Sequence, residues 1–342
     1  MNFKKILTTK EPYVIAEIGI NHNGKIDIAK RMIKKAKKSG ANCVKFQFFS
    51  ASKLITKNAP KAPYQKKNSK NSQLEIIKKC ELTFNELKKL KNFCKKIKID
   101  FLCTPFEIDS LKELLKIKVK AIKISSCNLN NIPFLKEAAK SKLPILLSTG
   151  MGNLHEVKNA INIFKKNKLL VFQCTSNYPA NNNEANLAVI NTYKNFFRVI
   201  VGYSDHTKEH TSAIVAFGMG VRVFEKHFTL SNKMRGIDQK ASLNVLDFKD
   251  YVLKLKEAAK TIGTFQKKPS QSEKKVLISL RKSVVAKKDI SVGEKLTLNM
   301  LEFKRPGNGI PTKEIPKIIG ATVKRKIKKD TMIRKNQLHI SR

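Results

Sequence analysis

The chain has 342 residues, 41% hydrophobic and 28% charged. That is enough apolar content for a core, and it excludes a disordered chain. Seventy Lys and Arg against 26 Asp and Glu leave a net charge of +44, but no apolar run approaches the roughly 18 residues of a membrane span. Only nine of the 70 basic residues are arginine, whereas phosphate and base recognition favours arginine forks. The lysines are spread along the whole chain. Compositional drift in an A+T-rich lineage therefore explains the charge before attraction of anionic substrates, and both come before nucleic-acid binding. No apolar stretch follows the lysines of Met1–Lys10, so a secretory signal is not expected. The scattered cysteines (Cys43, Cys80, Cys94, Cys103, Cys127, Cys174) read as reduced thiols of a cytoplasmic protein.

In chain order, short buried-type runs alternate with helical periods. Strand Tyr13–Gly19 is followed by helix Ile26–Gly40, and strand Cys43–Phe49 by a polar stretch from Ser50 to about Gln73. That stretch is too long for a turn and is a candidate functional loop. Helix Phe84–Lys98, strand Asp100–Phe106, helix Asp109–Lys118 and strand Ala121–Ser126 come next. They lead to helix Ile132–Lys142, strand Pro144–Gly150, helix Leu154–Asn167 and strand Leu169–Thr175. Helix Asn186–Phe197, strand Val199–Asp205, helix Glu209–Gly220, strand Val221–Phe228 and helix Leu246–Gly263 complete the series. Eight strand–helix units in 263 residues predict a closed (β/α)₈ barrel. The alternative is an open doubly wound sheet, but no Gly-x-Gly-x-x-Gly turn follows the first strand. Residues 264–282, polar and with Pro269, read as a linker. Ser283–Arg342 reads as a small loop-rich domain.

Chemistry in such a barrel sits where the strands end. There the sequence places Glu17, Lys45, Gln47, Thr104, Lys123, Ser126, Ser148, Tyr178, Ser204, His206, Glu225 and His227. Each alone has a bland reading as an edge lysine, a helix cap or a bonded core histidine. Together they ask for a joint explanation. Lys45 and Lys123 with the hydroxyls of Thr104, Ser126, Ser148 and Ser204 suit a phosphate or phosphate-plus-carboxylate nest. Lys123 has two other readings: an internal ion pair with Glu17 or Glu225, and a Schiff-base lysine. His206 and His227 end adjacent strands about 4.8 Å apart, so both imidazoles can reach one ion such as Mn²⁺, Fe²⁺, Co²⁺ or Zn²⁺. A pair of bonded core histidines is the plain alternative. His22 is the only other histidine near the mouth.

Seven segments then occur in a recognisable order. They are Glu17-Ile18-Gly19-Ile20-Asn21-His22-Asn23-Gly24, Val44-Lys45-Phe46-Gln47, Thr104-Pro105-Phe106, Leu147-Ser148-Thr149-Gly150-Met151, Gly202-Tyr203-Ser204-Asp205-His206-Thr207, Glu225-Lys226-His227-Phe228-Thr229 and Lys304-Arg305-Pro306-Gly307-Asn308-Gly309. The chain resembles the sialic acid synthase family over nearly its whole length. That family includes N-acetylneuraminate, legionaminate and pseudaminate synthases.

The resemblance implies a (β/α)₈ barrel followed by an antifreeze-like (SAF) domain. It also implies an enzyme, a transferase that condenses phosphoenolpyruvate with an N-acetylated hexose to a nine-carbon 2-keto acid and phosphate. N-acetylneuraminate synthase is the first reading of the sugar, with legionaminate or pseudaminate synthase as alternatives. Glu17 matches the catalytic carboxylate. Lys45, Thr104, Lys123, Ser126, Ser148 and Ser204 match phosphoenolpyruvate contacts, and Gln47, Tyr178 and Asp238 match sugar contacts. His206 and His227 match ligands of a divalent metal, usually Mn²⁺, with Mg²⁺ or Co²⁺ as alternatives. Arg305 matches a residue inserted into the barrel mouth of a partner, which implies a domain-swapped homodimer. Departures at Cys127-Asn128, Gln173 and Gly236-Ile237-Asp238-Gln239 are expected on the sugar side. Outside this family, a metal-free aldolase using Lys123 and a basic RNA-binding protein are the competing readings.

Overall fold

Strand residues alternate between two apolar environments, and that alternation builds the barrel. The computed structural model describes residue 6 and residues 10–60 and 72–340. It divides into two units, 1–263 and 264–342. The first holds strands β1 (Tyr13–Gly19), β2 (Cys43–Phe48), β3 (Asp100–Pro105), β4 (Ile122–Ile124), β5 (Ile145–Ser148), β6 (Leu169–Cys174), β7 (Ile200–Asp205) and β8 (Val223–His227). The intervening and following helices are α1 (Ile26–Lys38), α2 (Phe84–Lys96), α3 (Ile108–Lys116), α4 (Ile132–Lys140), α5 (Leu154–Ile163), α6 (Val189–Phe196), α7 (Thr211–Gly218) and α8 (Val245–Ile262).

The strands pair in parallel in the order β3-β2-β1-β8-β7-β6-β5-β4. The two ends of that order, β3 and β4, also lie against each other. The sheet therefore closes on itself, which rules out the doubly wound alternative. Every predicted strand and barrel helix is present, most trimmed by one to four residues at an end, where hydrogen bonding stops before the apolar pattern does.

One set of strand residues faces inward. Tyr13, Ile15, Cys43, Leu102, Leu146, Phe172 and Val223 pack as a plug inside the barrel. The alternate set, including Val14, Ala16, Ile18, Val44 and Phe46, joins the larger core under the helices. Gly202 leaves the room that Phe172 fills: a Cβ there would lie 2.7 Å from Phe172 Cε1. On α1, Ala29, Met32, Ile33 and Ala36 recur at helical spacing and are buried. Burial of Met32 and Ile33 is worth about 1.5–3 kcal/mol each, and Ile33→Asp would break that contact. Lys35, Lys37 and Lys38 close α1, and Lys95 and Lys96 close α2. Cations there complement the helix dipole, so part of the excess charge has a structural place.

Among its described residues, the β2–α2 connection contains two short helices that the sequence pattern did not reveal, Ala51–Leu54 and Gln73–Lys78. Residues 61–71 of the predicted functional loop lie outside the described residues. The stretch read as a linker, 264–282, carries helix α9 (Gln271–Leu280). Ser270 and Glu273 form its capping box, a Ser-x-x-Glu signal that the Pro269 reading passed over. The second unit pairs β9 (Ser283–Ala286) with β10 (Leu301–Lys304), and β11 (Thr322–Val323) with β12 (Leu338–His339), all antiparallel. Its core includes Val284, Ile290, Leu296, Ile318 and Ile333. Among the described residues, no helix is long and apolar enough to cross a membrane.

Candidate active site

One step of two residues beyond the apolar plug, the inward positions of five strands turn polar. Ile15 is followed by Glu17, Cys43 by Lys45, Leu102 by Thr104, Leu146 by Ser148 and Val223 by Glu225. Period-two geometry thus places these groups in one layer at the C-terminal end of the barrel. Above them opens a cavity of about 630 Å³. It is lined by all twelve candidate residues of the barrel: Glu17, Lys45, Gln47, Thr104, Lys123, Ser126, Ser148, Tyr178, Ser204, His206, His227 and Asp238. The thirteenth, Arg305, belongs to the other unit.

Glu225 is the hub of the floor, and the sequence reading gave it only as a possible ion-pair partner. Lys123 Nζ donates to its two carboxylate oxygens at 2.8 and 2.9 Å. Lys45 Nζ lies 3.4 Å from Glu225 Oε1, and Ser204 Oγ donates to the same oxygen at 3.1 Å. Lys45 Nζ also donates to Thr104 Oγ1 at 3.1 Å and sits 3.1 Å from Glu17 Oε2. Gln47 Nε2 donates to Glu17 Oε1 at 2.9 Å. The floor therefore carries two ammonium groups and two carboxylates, so it is more balanced than a purely cationic nest.

Burial governs the protonation of these groups. It pushes the Glu225 carboxyl up, but Lys123 and Lys45 outweigh it and hold that carboxyl down at about 2. For Glu17 burial wins over the attraction of Lys45, and the carboxyl rises above the usual range. Burial also pulls Lys123 below the ordinary lysine value despite Glu225. Asp238 is raised to about 7, by burial first and by Glu17 second.

The histidines stand side by side, with ring centroids 5.5 Å apart. Tyr178 lies beside them, its ring tilted at 4.2 Å from His206 and edge-on at 5.4 Å from His227. His206 Nδ1 is 2.6 Å from the Thr175 carbonyl. A carbonyl only accepts, so Nδ1 carries the proton and Nε2 keeps its lone pair. Burial depresses His206 to about 4 and His227 well below its ordinary value. Both rings are neutral at pH 7, the ligating form. His227 Nδ1 is buried without a hydrogen-bond partner and lies 4.0 Å from Asp238 Oδ2. Two neutral imidazoles, one with an orphaned buried nitrogen, fit a divalent transition metal. Among the described residues no group of three or more His, Cys, Asp and Glu side chains forms a metal cluster. Water or substrate oxygens would supply the remaining ligands, as in open catalytic sites.

Several expected placements change. His22 is fully buried and its Nδ1 accepts from Gly24 N at 3.0 Å; it does not line the cavity. Asn128 was expected on the sugar side. Instead its Nδ2 donates to the Phe106 carbonyl and its Oδ1 accepts from Asn131, both at 3.0 Å, tying two loops together. Gln239 is buried too, donating to the Asn21 carbonyl at 2.8 Å and accepting from Thr229. Gln173 likewise turns away, donating to the Ala185 carbonyl at 3.0 Å. Of the segment Gly236–Gln239 only Asp238 reaches the cavity lining. Gly150, not singled out as a site residue, presses against the nest: its N–H donates to Ser126 Oγ at 3.0 Å, and a Cβ there would meet Ser176 Oγ at 2.2 Å.

Arg305 is exposed on the second unit. The sequence suggests that Gly307 and Gly309 give its loop freedom. The structure shows close packing instead. Ser283 Oγ donates to the Pro306 carbonyl at 2.6 Å and accepts from Gly309 N at 2.8 Å. A Cβ on Gly307 would lie 2.5 Å from Arg281 Cβ. The loop is pinned at its base with the arginine outward.

Residues 32–267 match the NeuB family, and residues 281–339 match the SAF domain. The N,N'-diacetyllegionaminic acid synthase of Campylobacter jejuni is 42% identical over 95% of this chain and 99% of its own. The N-acetylneuraminate-9-phosphate synthase of Mus musculus is 33% identical over 94% of this chain and 91% of its own. The crystal structure of an N-acetylneuraminic acid synthetase from Leptospira borgpetersenii, in complex with citrate, superposes with a TM-score of 0.70 at 32% identity. It covers 78% of this chain and 90% of that one. The chain belongs to the NeuB family: it is a sialic-acid-type synthase, a transferase, with a C-terminal SAF domain.

Proposed function

We propose that this chain condenses phosphoenolpyruvate with a hexose bearing two N-acetyl groups, releasing phosphate and an N,N'-diacetyllegionaminic-acid-type product. One observation carries the reaction class: twelve side chains suited to an anion, a metal and a sugar converge on one cavity. The choice of sugar rests on similarity, 42% to the diacetyllegionaminic acid synthase against 33% to the N-acetylneuraminate-9-phosphate synthase. It therefore favours the alternative over the N-acetylneuraminate reading.

In this proposal Lys45, Lys123, Thr104, Ser126, Ser148 and Ser204 hold the phosphate and carboxylate of phosphoenolpyruvate through charge-assisted bonds. His206 and His227 would hold the divalent metal, with Mn²⁺ our choice; when bound it supplies Lewis-acid polarisation of the sugar aldehyde. The methylene carbon of phosphoenolpyruvate bonds to the aldehyde carbon, and the aldehyde oxygen takes a proton. Water adds at the enol carbon and loses a proton, and the tetrahedral species expels phosphate to leave the ketone. In this proposal Glu17 moves those protons. Its carboxyl is buried, raised by that burial and held by Gln47. Gln47, Tyr178 and Asp238 orient the sugar.

Arg305 of a partner chain completes the sugar site in a cytoplasmic homodimer. The family resemblance and the outward presentation of Arg305 support this part. Phosphate release from phosphoenolpyruvate, assayed with Mn²⁺ and a panel of mono- and diacetamido hexoses, tests the whole. Release dependent on a diacetamido hexose is expected. No release with any sugar would overturn the reading.

A further inference from the structure

The cavity has a second face that the reaction does not use. Ile20, Phe49, Leu54, Ile55, Ile77 and Phe106 line it together with the polar floor. They belong to one apolar cluster that also includes Ile76 and Ile237, separate from the plug and from the core under the helices. Phe49 and Phe106 meet edge to face at 5.8 Å. All six lining residues lie in the loops after β1, β2 and β3. The imidazoles instead belong to the ends of β7 and β8, and Tyr178 follows β6. A hexose whose aldehyde carbon sits by the imidazoles would therefore extend its far end toward this wall.

We infer that the wall is the specificity element of the acceptor site and receives the methyl of the second acetamido group. The inference rests on the condensation proposed above. Phosphoenolpyruvate brings three carbons and no nitrogen, so both N-acetyl groups of a diacetyl product come from the hexose. A monoacetyl hexose carries a hydroxyl where the diacetamido sugar carries its second acetamido group, and that hydroxyl loses its water against hydrocarbon without a partner. An acetamido methyl meets the same surface favourably. One methyl or methylene in such a pocket discriminates roughly 10- to 200-fold.

The test measures kcat/KM for a diacetamido hexose and for N-acetylmannosamine, in wild type, Leu54→Ala and Ile77→Ala. Leu54 and Ile77 lie on different short helices and so sample different parts of the wall. The diacetamido-over-monoacetyl ratio should fall about tenfold or more in each variant. The KM for phosphoenolpyruvate should stay within about twofold, reporting an intact floor. Leu54→Met keeps the volume and should keep the ratio. An unchanged ratio in both alanine variants, with wild type preferring the diacetamido sugar, would overturn the wall's role and leave the proposed reaction standing. A wild type that prefers N-acetylmannosamine would overturn the sugar assignment and the wall together. Turnover of neither sugar would overturn the reaction itself.

Discussion

Glu225→Gln removes the carboxylate that Lys123 depends on. Lys123 is 2% exposed, and both Glu225 oxygens lie within 2.9 Å of its ammonium. At 2.8 Å the gross Coulomb attraction is about 6 kcal/mol for an effective dielectric of 20. Lys45 keeps Glu17 at 3.1 Å, so the loss falls mainly on Lys123. The amide oxygen that replaces the carboxylate still accepts from Lys123, and the Phe172 ring lies at 4.9 Å, a contact worth about 0.5–2 kcal/mol. Breaking a buried pair from one side usually costs about 3–5 kcal/mol, and the ring contact points to the lower end, about 3 kcal/mol. The double variant Lys123→Met with Glu225→Gln removes both charges. It should be more stable than Glu225→Gln alone, because no unpaired charge remains buried. Urea unfolding followed by far-ultraviolet circular dichroism suits a chain without tryptophan. A loss below about 1 kcal/mol in the single variant would refute the hub role. So would a double variant as unstable as the sum of its parts.

Chelation should abolish turnover and Mn²⁺ should restore it, and His206→Ala or His227→Ala should each cost several orders of magnitude in kcat; full activity in chelator would remove the metal from the mechanism. Lys45→Ala should raise the KM for phosphoenolpyruvate or lower kcat through loss of a charge-assisted contact. Unchanged kinetics would take Lys45 out of the anion nest. Arg305→Ala and His206→Ala, each inactive alone, should complement after mixing and reassembly, because a mixed dimer has one site with both lesions and one with neither. Random pairing makes half the dimers mixed, so activity near about a quarter of wild type is expected. No recovery, with subunit exchange confirmed independently, would place Arg305 in its own chain's site or in none.

The barrel and its polar layer were legible because both rest on short-range pattern. Inward positions step by two from Ile15 to Glu17 and from Val223 to Glu225, and that period is visible without coordinates. The helix after Pro269 was signalled by Ser270 and Glu273, but the proline led to a linker reading instead. Which way Asn128, Gln173 and Gln239 turn was not legible. Each sits beside cavity residues in sequence, yet the backbone carbonyls of Phe106, Ala185 and Asn21 capture them. Satisfying a buried acceptor decides a side chain's direction, and the carbonyl that needs it lies in another segment. The role of Glu225 was hidden for a related reason. A carboxylate on a strand reads as one charge, whereas three donors from β2, β4 and β7 reach it only once the barrel closes.

That closure also changes what the cationic composition can do. Attraction of anions by charge alone is the secondary reading of a net charge of +44. The floor contradicts this, since Glu17 and Glu225 stand against Lys45 and Lys123. In the proposed reaction an incoming phosphate and carboxylate would therefore displace carboxylates from their lysines as well as water. Glu225 is the harder to protonate, because two ammonium groups hold its carboxyl at about 2. Glu17 is the easier, because burial already raises its carboxyl and only Lys45 and Gln47 oppose that. In the proposed reaction, anion binding would thus drive a proton onto Glu17 rather than Glu225. The forming hydroxyl of the acceptor needs a proton in the next step. The same carboxyl that yields Lys45 to the substrate would then supply that proton, linking the filling of the anion site to the chemistry that follows.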